Sequence, residues 1–197
     1  THIYFWDFGD GSNATGTLTP THAYGDNDIY TVTLTVTDDD GGVGTDTLTV
    51  TVNNVAPTVE AGSDKTGNEG DAVSFSGFFT DPGADDTHTI FWDFGDGTYT
   101  IGTLIPTHVY GDNGVYTATL TVTDDDGGFG VDTLTVTVYN VAPTVYAGPD
   151  QTVFLGQTVI FSGSFTDPGT KDTHTYFWGF GDGTNASGTL MPTHVYT

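Results

Sequence analysis

Alternation of apolar residues with threonine is the dominant pattern of this chain. Residues 30–37 and 47–52 place Val, Leu or Tyr at every second position, with Thr mainly between them, and residues 116–123 and 133–138 repeat the pattern. A period of two predicts β-strands with one face in the core and a threonine face in water. No segment of useful length has a helical period, so the pattern predicts an all-β protein.

A second pattern sets the domain organisation. The apolar stretch that begins at Phe91 and ends in the Gly-Asp-Gly of residues 95–97 occurs three times, with its tryptophan at positions 6, 92 and 178, which are 86 residues apart. Such a stretch is typical of a core strand that runs into a tight turn. A period of 86 is too long for a solenoid unit and fits a small sandwich domain.

The period divides the chain into one complete repeat and two partial ones. Residues 55–140 form the complete repeat, 1–54 match its C-terminal part (87–140), and 141–197 match its N-terminal part (55–111). In the complete repeat we expect strands near 57–61, 72–79, 88–94, 115–123 and 131–138. Several short strands separated by turn signals favour an immunoglobulin-like antiparallel sandwich with Trp92 at its centre.

These motifs resemble the PKD (polycystic kidney disease) domain family. The resemblance rests on residues 92–97, then Pro106 to Tyr110, then 114–124, and its repetition covers the whole chain. It implies tandem immunoglobulin-like β-sandwiches that act as a non-catalytic spacer or interaction module, extracellular or at the cell surface. Some members of the family bind calcium. The third copy departs from the pattern at Gly179, where the others have Asp7 and Asp93.

Composition narrows the possible partners. The chain has 26 acidic residues, two lysines, no arginine and no cysteine, with a net charge of −24. Binding to nucleic acid or to an anionic membrane surface needs clustered Lys and Arg, so both are poor partners. No stretch approaches the roughly 20 apolar residues of a membrane span, so membrane insertion is not expected. Carboxylates without basic neighbours favour hard cations, above all calcium.

The acidic loops predict where calcium would bind. In an immunoglobulin-like topology the loop at 81–86, the loop at 124–128 and the incoming linker share the pole that faces the preceding domain. Calcium takes 6–8 oxygen ligands. We therefore expect calcium at each domain joint, with ligands drawn from Asp81, Asp85, Asp124, Asp126 and Asn54, and with equivalents at Asp38 and Asp40 in the first segment and at Asp167, Asp172 and Asn140 in the last. The spacing does not match an EF-hand, and a solvated acidic hairpin with turn-forming Asp and Gly is the alternative.

Other constellations favour structural roles. Asp93 and Asp96 resemble the carboxylate pair of a glycoside hydrolase, but their position at the end of a core strand favours a structural, hydrogen-bonding role in the turn. The six histidines supply only two per repeat and no cysteine accompanies them, so a zinc site is not expected. Asn13 and Asn185 begin Asn-X-Thr/Ser sequences and are predicted N-glycosylation sites. No nucleophile arrangement stands out, and we predict that the segment is not an enzyme.

Two kinds of function remain open. The first is a structural array, an extracellular stalk or fibre stiffened by calcium, whose partners are neighbouring copies of itself in a tail-to-head array or filament. The second is an adhesion or polysaccharide- or protein-binding module attached to a secreted enzyme. The second predicts an exposed aromatic row, for which Tyr99, Ile101, Tyr139 and Tyr146 are candidates that differ between copies.

Overall fold

The computed structural model describes all residues from 1 to 197 and contains strands, turns and loops but no helix. The predicted all-β fold is confirmed. No element of the structure could cross a membrane as a helix.

The middle repeat is a complete two-sheet sandwich. It contains nine strands: β5 (Thr58–Glu60), β6 (Lys65–Asn68), β7 (Ala72–Ser74), β8 (Phe78–Thr80), β9 (His88–Asp93), β10 (Tyr99–Ile101), β11 (Thr107–Val109), β12 (Gly114–Asp124) and β13 (Phe129–Tyr139). One sheet has the order β10-β9-β12-β13-β6, in which only the β13–β6 pair is parallel. The other sheet is built from the pairs β11–β7 and β5–β8.

The predicted strand at 72–79 is divided in the structure. Its first half, β7, pairs with β11, and this ladder continues when Phe75 and Gly77 donate N–H bonds to the carbonyls of Pro106 and Leu104. Its second half, β8, pairs with β5 on the opposite edge. Gly77 lies where a Cβ would contact the Trp92 ring at 3.1 Å, so a side chain at this point of the strand would displace the core.

The core of the middle repeat lies between its two sheets around Trp92. Trp92 and Leu120 are completely buried, and the Trp92 ring packs against Phe75 with centroids 5.1 Å apart. The remaining core comes from the apolar positions of the alternating strands and from Tyr110. Burial of an apolar side chain contributes about 1.5–3 kcal/mol, so this cluster stabilises the domain strongly.

The first and last segments each contain part of this sandwich. The first has β1 (His2–Asp7), β2 (Asn13–Thr15), β3 (Asp28–Asp38) and β4 (Val43–Val52), in the order β2-β1-β3-β4. The last has β14 (Thr144–Tyr146), β15 (Thr158–Ile160), β16 (Ser164–Thr166), β17 (Phe177–Gly179), β18 (Asn185–Ser187) and β19 (Thr193–Val195). Leu48 of the first segment is 50% exposed, whereas its equivalent Leu134 is 3% exposed, because the opposing sheet is absent from residues 1–54.

Candidate metal centres at the domain joints

The first joint brings three of its loops to one pole of the middle domain. The loop between β8 and β9 and the hairpin between β12 and β13 place Asp81, Asp86 and Asp124 together, with one oxygen of each within 4.8 Å of the others. The linker supplies Asn54, whose Nδ2 donates to Asp124 Oδ2 at 2.9 Å. Asp81, Asp124 and Asn54 are thus neighbours in the structure, and Asp86 is a fourth member that sequence reasoning missed.

Local backbone contacts fix the orientation of Asp124. Its Oδ1 accepts N–H bonds from Asp126 at 3.1 Å and from Gly128 at 2.7 Å, and the residue is only 4% exposed. These bonds use one oxygen and leave Oδ2 facing Asn54 and the pole. The hairpin sequence Asp-Asp-Asp-Gly-Gly therefore both closes the turn and positions a buried carboxylate.

Asp126 and Asp85 take different positions. Asp126 joins a second cluster with Asp86 and with Asp26 of the first segment. Asp85 lies outside both clusters, with its carboxylate against Gly25, and its N–H donates to the Gly25 carbonyl at 3.1 Å. Asp85 therefore contributes a backbone bond that docks the two domains.

The second joint reproduces this docking. The Lys171 N–H donates to the Gly111 carbonyl at 3.0 Å, and these two residues are the equivalents of Asp85 and Gly25. Asp167 and Asp172 cluster with His174, whose Nε2 lies 2.8 Å from Asp167 Oδ2.

Besides Asp85, three further predicted residues lie apart from these clusters. Asn140 is exposed. Asp38 and Asp40 lie in the exposed β3–β4 hairpin, where Asp38 Oδ1 accepts N–H bonds from Asp40 at 3.1 Å and Gly42 at 2.7 Å. In the middle domain the equivalent hairpin faces the β8–β9 loop, which has no counterpart in residues 1–54.

Charge within the clusters is unbalanced. Burial raises the pKa of Asp86, and the nearby carboxylates of Asp81 and Asp26 raise it further. Burial likewise raises the pKa of Asp172. At Asp81 the bond to His88 acts in the opposite direction and lowers the pKa of that carboxyl.

Unpaired polar atoms accompany this charge. Both carboxylate oxygens of Asp86 are buried and have no hydrogen-bond partner. The ion pairs of the chain involve only histidines and the N-terminal amine, so neither lysine neutralises these clusters.

The Gly-Asp-Gly turn lies at the opposite end of each Trp strand and has a structural arrangement. Asp93 accepts the N–H of Gly95 at 2.8 Å, and Asp96 accepts the N–H and the hydroxyl of Thr98. His108 Nε2 lies 2.8 Å from Asp96 Oδ2, and the His108 ring stacks on the Phe94 ring. Every polar group that Asp96 contacts holds the turn in place.

The predicted glycosylation residues occupy equivalent edge strands. Asn13 is the first residue of β2 and Asn185 the first residue of β18, and both are exposed. Exposure leaves both asparagines sterically open to modification.

Comparison with known proteins identifies the family. The family model for the PKD domain matches residues 1–52, 54–138 and 140–197. A microbial collagenase of Vibrio alginolyticus is 38% identical over 88 residues, which are 44% of this chain and 11% of the relative. Collagenase ColA of Bacillus cereus is 36% identical over 85 residues, which are 43% of this chain and 9% of the relative. The matched region thus spans about a tenth of the length of these curated relatives.

Solved structures of similar sequence are also PKD domains. The PKD1 domain of Vibrio anguillarum Epp is 32% identical and covers 44% of this chain and 96% of its own, with a TM-score of 0.34. The PKD1 domain of the Vibrio cholerae metalloprotease PrtV is 30% identical over 43% of this chain and 98% of its own, with a TM-score of 0.31. With the family model matching in three consecutive segments, this chain belongs to the PKD domain family and is built from immunoglobulin-like, non-catalytic modules.

Proposed function

We propose that these tandem PKD modules form a spacer in an extracellular or cell-surface protein, stiffened by calcium at the domain joints. The observation that supports this proposal most strongly is at Asp86. Its two carboxylate oxygens are buried and have no hydrogen-bond partner, and its carboxylate clusters with those of Asp81 and Asp124. A buried, unpaired carboxylate is costly unless a cation compensates it. The short linkers and the backbone bond repeated at both joints support a stiff arrangement.

The residues at the first joint fit calcium better than other metals. Three carboxylates converge, and the Asn54 amide would add a fourth oxygen after a rotation that exchanges its oxygen and nitrogen. These are hard oxygen donors, which calcium prefers, and backbone carbonyls and water commonly complete its shell. A structural zinc site is disfavoured because the chain has no cysteine.

Calorimetry with and without calcium tests the metal. We expect the melting temperature of the chain to rise with calcium and to fall again with a chelator, since a ligand that binds the folded state stabilises it by about 2.7 kcal/mol at one hundred times its Kd. Asp86→Asn should reduce the calcium-dependent rise, and without calcium it should be at least as stable because it removes a repelled charge. Asp46→Asn is the control, an equal change of charge at an exposed site. Identical calcium responses in both variants and the parent would exclude the site.

Distance measurements test the stiffness. The chain contains no cysteine, so spin labels can be placed at Thr45→Cys and Thr152→Cys, both exposed positions in the terminal segments. Calcium should narrow the distribution of label-to-label distances measured by double electron–electron resonance. An unchanged width, together with a calcium-dependent melting temperature, would retain the metal and reject the stiffening.

Neighbouring copies of the same module are the partners that we propose for the terminal segments. In the middle domain β6 covers the edge of β13, whereas β4 has no strand on the equivalent edge, and residues 151–154, the equivalent of β6, form no strand. Unpaired edges of this kind readily accept another strand. Light scattering of the 197-residue chain should show tail-to-head association that grows with concentration. A monodisperse monomer at all concentrations would count against it.

An accessory binding module is the second candidate. The collagenase relatives support it, and so does an exposed pair of stacked rings on the middle domain, Phe91 and Tyr99, with centroids 5.4 Å apart. Tyr99 is 67% exposed, and asparagine replaces it in the other copies. Retention on an insoluble polysaccharide or on collagen that is lost with Tyr99→Asn would favour this function over the spacer.

A further inference from the structure

The second joint holds a carboxylate cluster that is divided between two domains. Glu69 and Asp112 belong to the middle domain and Asp172 to the last, and one oxygen of each lies within 4.8 Å of the others. They come from the turn after β6, the loop before β12 and the loop between β16 and β17. Only docking of the two domains brings these loops together.

Glu69 is the most deeply buried carboxylate of the chain and is rigidly placed. It is 1% exposed, and its Oε1 accepts the N–H of Val141 at 2.6 Å. Its own N–H donates to the carbonyl of Tyr139, the last residue of β13, at 3.0 Å, so two bonds hold it against the end of β13 and the linker that follows. Its Oε2 is buried and has no hydrogen-bond partner. A buried oxygen without a hydrogen-bond partner, in a carboxyl group that clusters with two others, is an arrangement that a cation would compensate.

Gly169 keeps the centre of the cluster free of side-chain atoms. A Cβ at this position would lie 2.6 Å from Asp172 Oδ2 and 2.9 Å from the carboxyl carbon of Glu69. Any other residue would therefore force the two carboxylates away from their present positions. The glycine permits a close approach that repulsion alone would oppose.

The first joint has the same pair of residues in the same relation. Asp26 and Asp86, which are the equivalents of Asp112 and Asp172, cluster with Asp126. The inter-domain pair thus recurs at both joints, while its third carboxylate comes from the following domain at the first joint and from the preceding domain at the second. Because the pair recurs, the close approach of these two carboxylates is a consequence of how consecutive domains dock.

We propose that Glu69, Asp112 and Asp172 bind a calcium ion that cross-links the middle and last domains. Three carboxylates give a hard, strongly anionic donor set, and waters and backbone carbonyls would complete the coordination of the ion. The inference rests on the proposed function in placing calcium at a joint. It differs in that ligands from both domains hold this ion, so that binding itself locks their relative orientation.

Residue-resolved calcium titration of the whole chain by NMR tests this proposal. Calcium should shift the amide signals of Val141, Gly169 and Lys171 along one binding curve. Glu69→Gln keeps an acceptor for the Val141 N–H and removes one negative charge, and it should raise the Kd from these three signals at least tenfold. Amide signals of Gly83 and Gly128 at the first joint should keep their Kd.

Matched variants separate the possible outcomes. Glu60→Gln makes the same chemical change at an exposed residue of the same domain and should leave every Kd unchanged. If Glu69→Gln disturbs the fold in the absence of calcium, Asp112→Asn replaces it as the test variant, because Asp112 is more exposed. The same rise of at least tenfold in the Kd is expected for Asp112→Asn. Shifts at Gly83 and Gly128 without shifts at Val141 and Gly169 would overturn the inter-domain site while retaining calcium at the first joint. No calcium-dependent shift anywhere would overturn both proposals.

Discussion

Removal of one oxygen atom from Tyr110 tests how the middle domain differs from its partial copies. The Tyr110 hydroxyl donates to the Phe94 carbonyl at 3.0 Å, and the residue is completely buried. Tyr24 and Tyr196 make the same bond, to Phe8 at 3.1 Å and to Phe180 at 3.0 Å, but both lie in partly open segments. Substitution of each tyrosine by phenylalanine retains the ring and deletes only the hydroxyl.

The expected cost follows from burial. A hydrogen bond contributes about 0.5–1.5 kcal/mol net, and a buried group left without a partner costs about 1–3 kcal/mol. Water cannot reach the site of Tyr110, so we expect Tyr110→Phe to lower the stability of the middle domain by about 1–2 kcal/mol. Water can replace the hydroxyl at Tyr24, so Tyr24→Phe should cost less than about 0.5 kcal/mol.

Hydrogen–deuterium exchange of the whole chain provides the assay, because it reports the stability of each segment separately. Amides of β9 and β12 should exchange about 5–30 times faster in Tyr110→Phe, which corresponds to the expected loss. Amides of β1 and β3 should change little in Tyr24→Phe. Equal acceleration by both variants, or none in Tyr110→Phe, would refute the argument that burial sets the value of this bond.

Three further predictions follow from the structure, and two of them compare equivalent or related positions in different copies. In thermal unfolding, Gly95→Ala should destabilise its domain by more than Gly181→Ala does. Both glycines have a positive φ, so both substitutions strain the backbone. A Cβ at position 95 would also lie 2.5 Å from a carbonyl oxygen of β12, whereas a Cβ at position 181 would have no atom within 4 Å. Asp132→Ala should lower the free energy of urea unfolding by about 1 kcal/mol, because its carboxylate accepts the N–H of Ala61, 71 residues away. Asp46→Ala should be nearly neutral, because the Asp46 carboxylate accepts only the N–H of the next residue. Hydrogen bonds from the hydroxyl and the backbone N–H of Thr184, together with the contact to His194, lower the pKa of Asp182 to about 2. Its stabilising effect should therefore be complete above the unfolded pKa near 4 and lost as the pH falls through about 2; an NMR-titrated pKa near 4 would contradict this.

Local sequence predicts most of the fold of the middle domain. The long strands β12 and β13 follow from the alternation of apolar residues and threonine, and Trp92 lies at the centre of the core as expected. Strand β6 was not predicted, because Lys-Thr-Gly-Asn has no apolar alternation. It is a strand because the chain there lies parallel to β13, which offers a free edge. Tertiary pairing, which a local pattern cannot show, determines this element.

The candidate sites are less accessible to sequence reasoning. Topology was sufficient to place Asp81 and Asp124 at one pole, because both belong to a single domain, Asp81 in the loop after β8 and Asp124 at the end of β12. Asp26 and Asp112 belong to the opposite pole of the preceding domain, so only the docked arrangement of two domains brings them to the joint. The repeated Tyr-Gly-Asp segment was the available signal. For Glu69 repetition gives no signal, since Leu155 occupies its place in the last segment.

The joints explain how a chain with a net charge of −24 can be docked end to end. At each joint an N–H bond from Asp85 or Lys171 links two domains, and carboxylates of both domains lie within one small volume beside it. A single neutral hydrogen bond contributes only about 1 kcal/mol, so it is a weak restraint against repulsion between buried anions. Cations at these positions would convert the repulsion into attraction. The stiffness of the array would then depend on the calcium concentration, while the fold of each complete domain, which rests on its own core, would not.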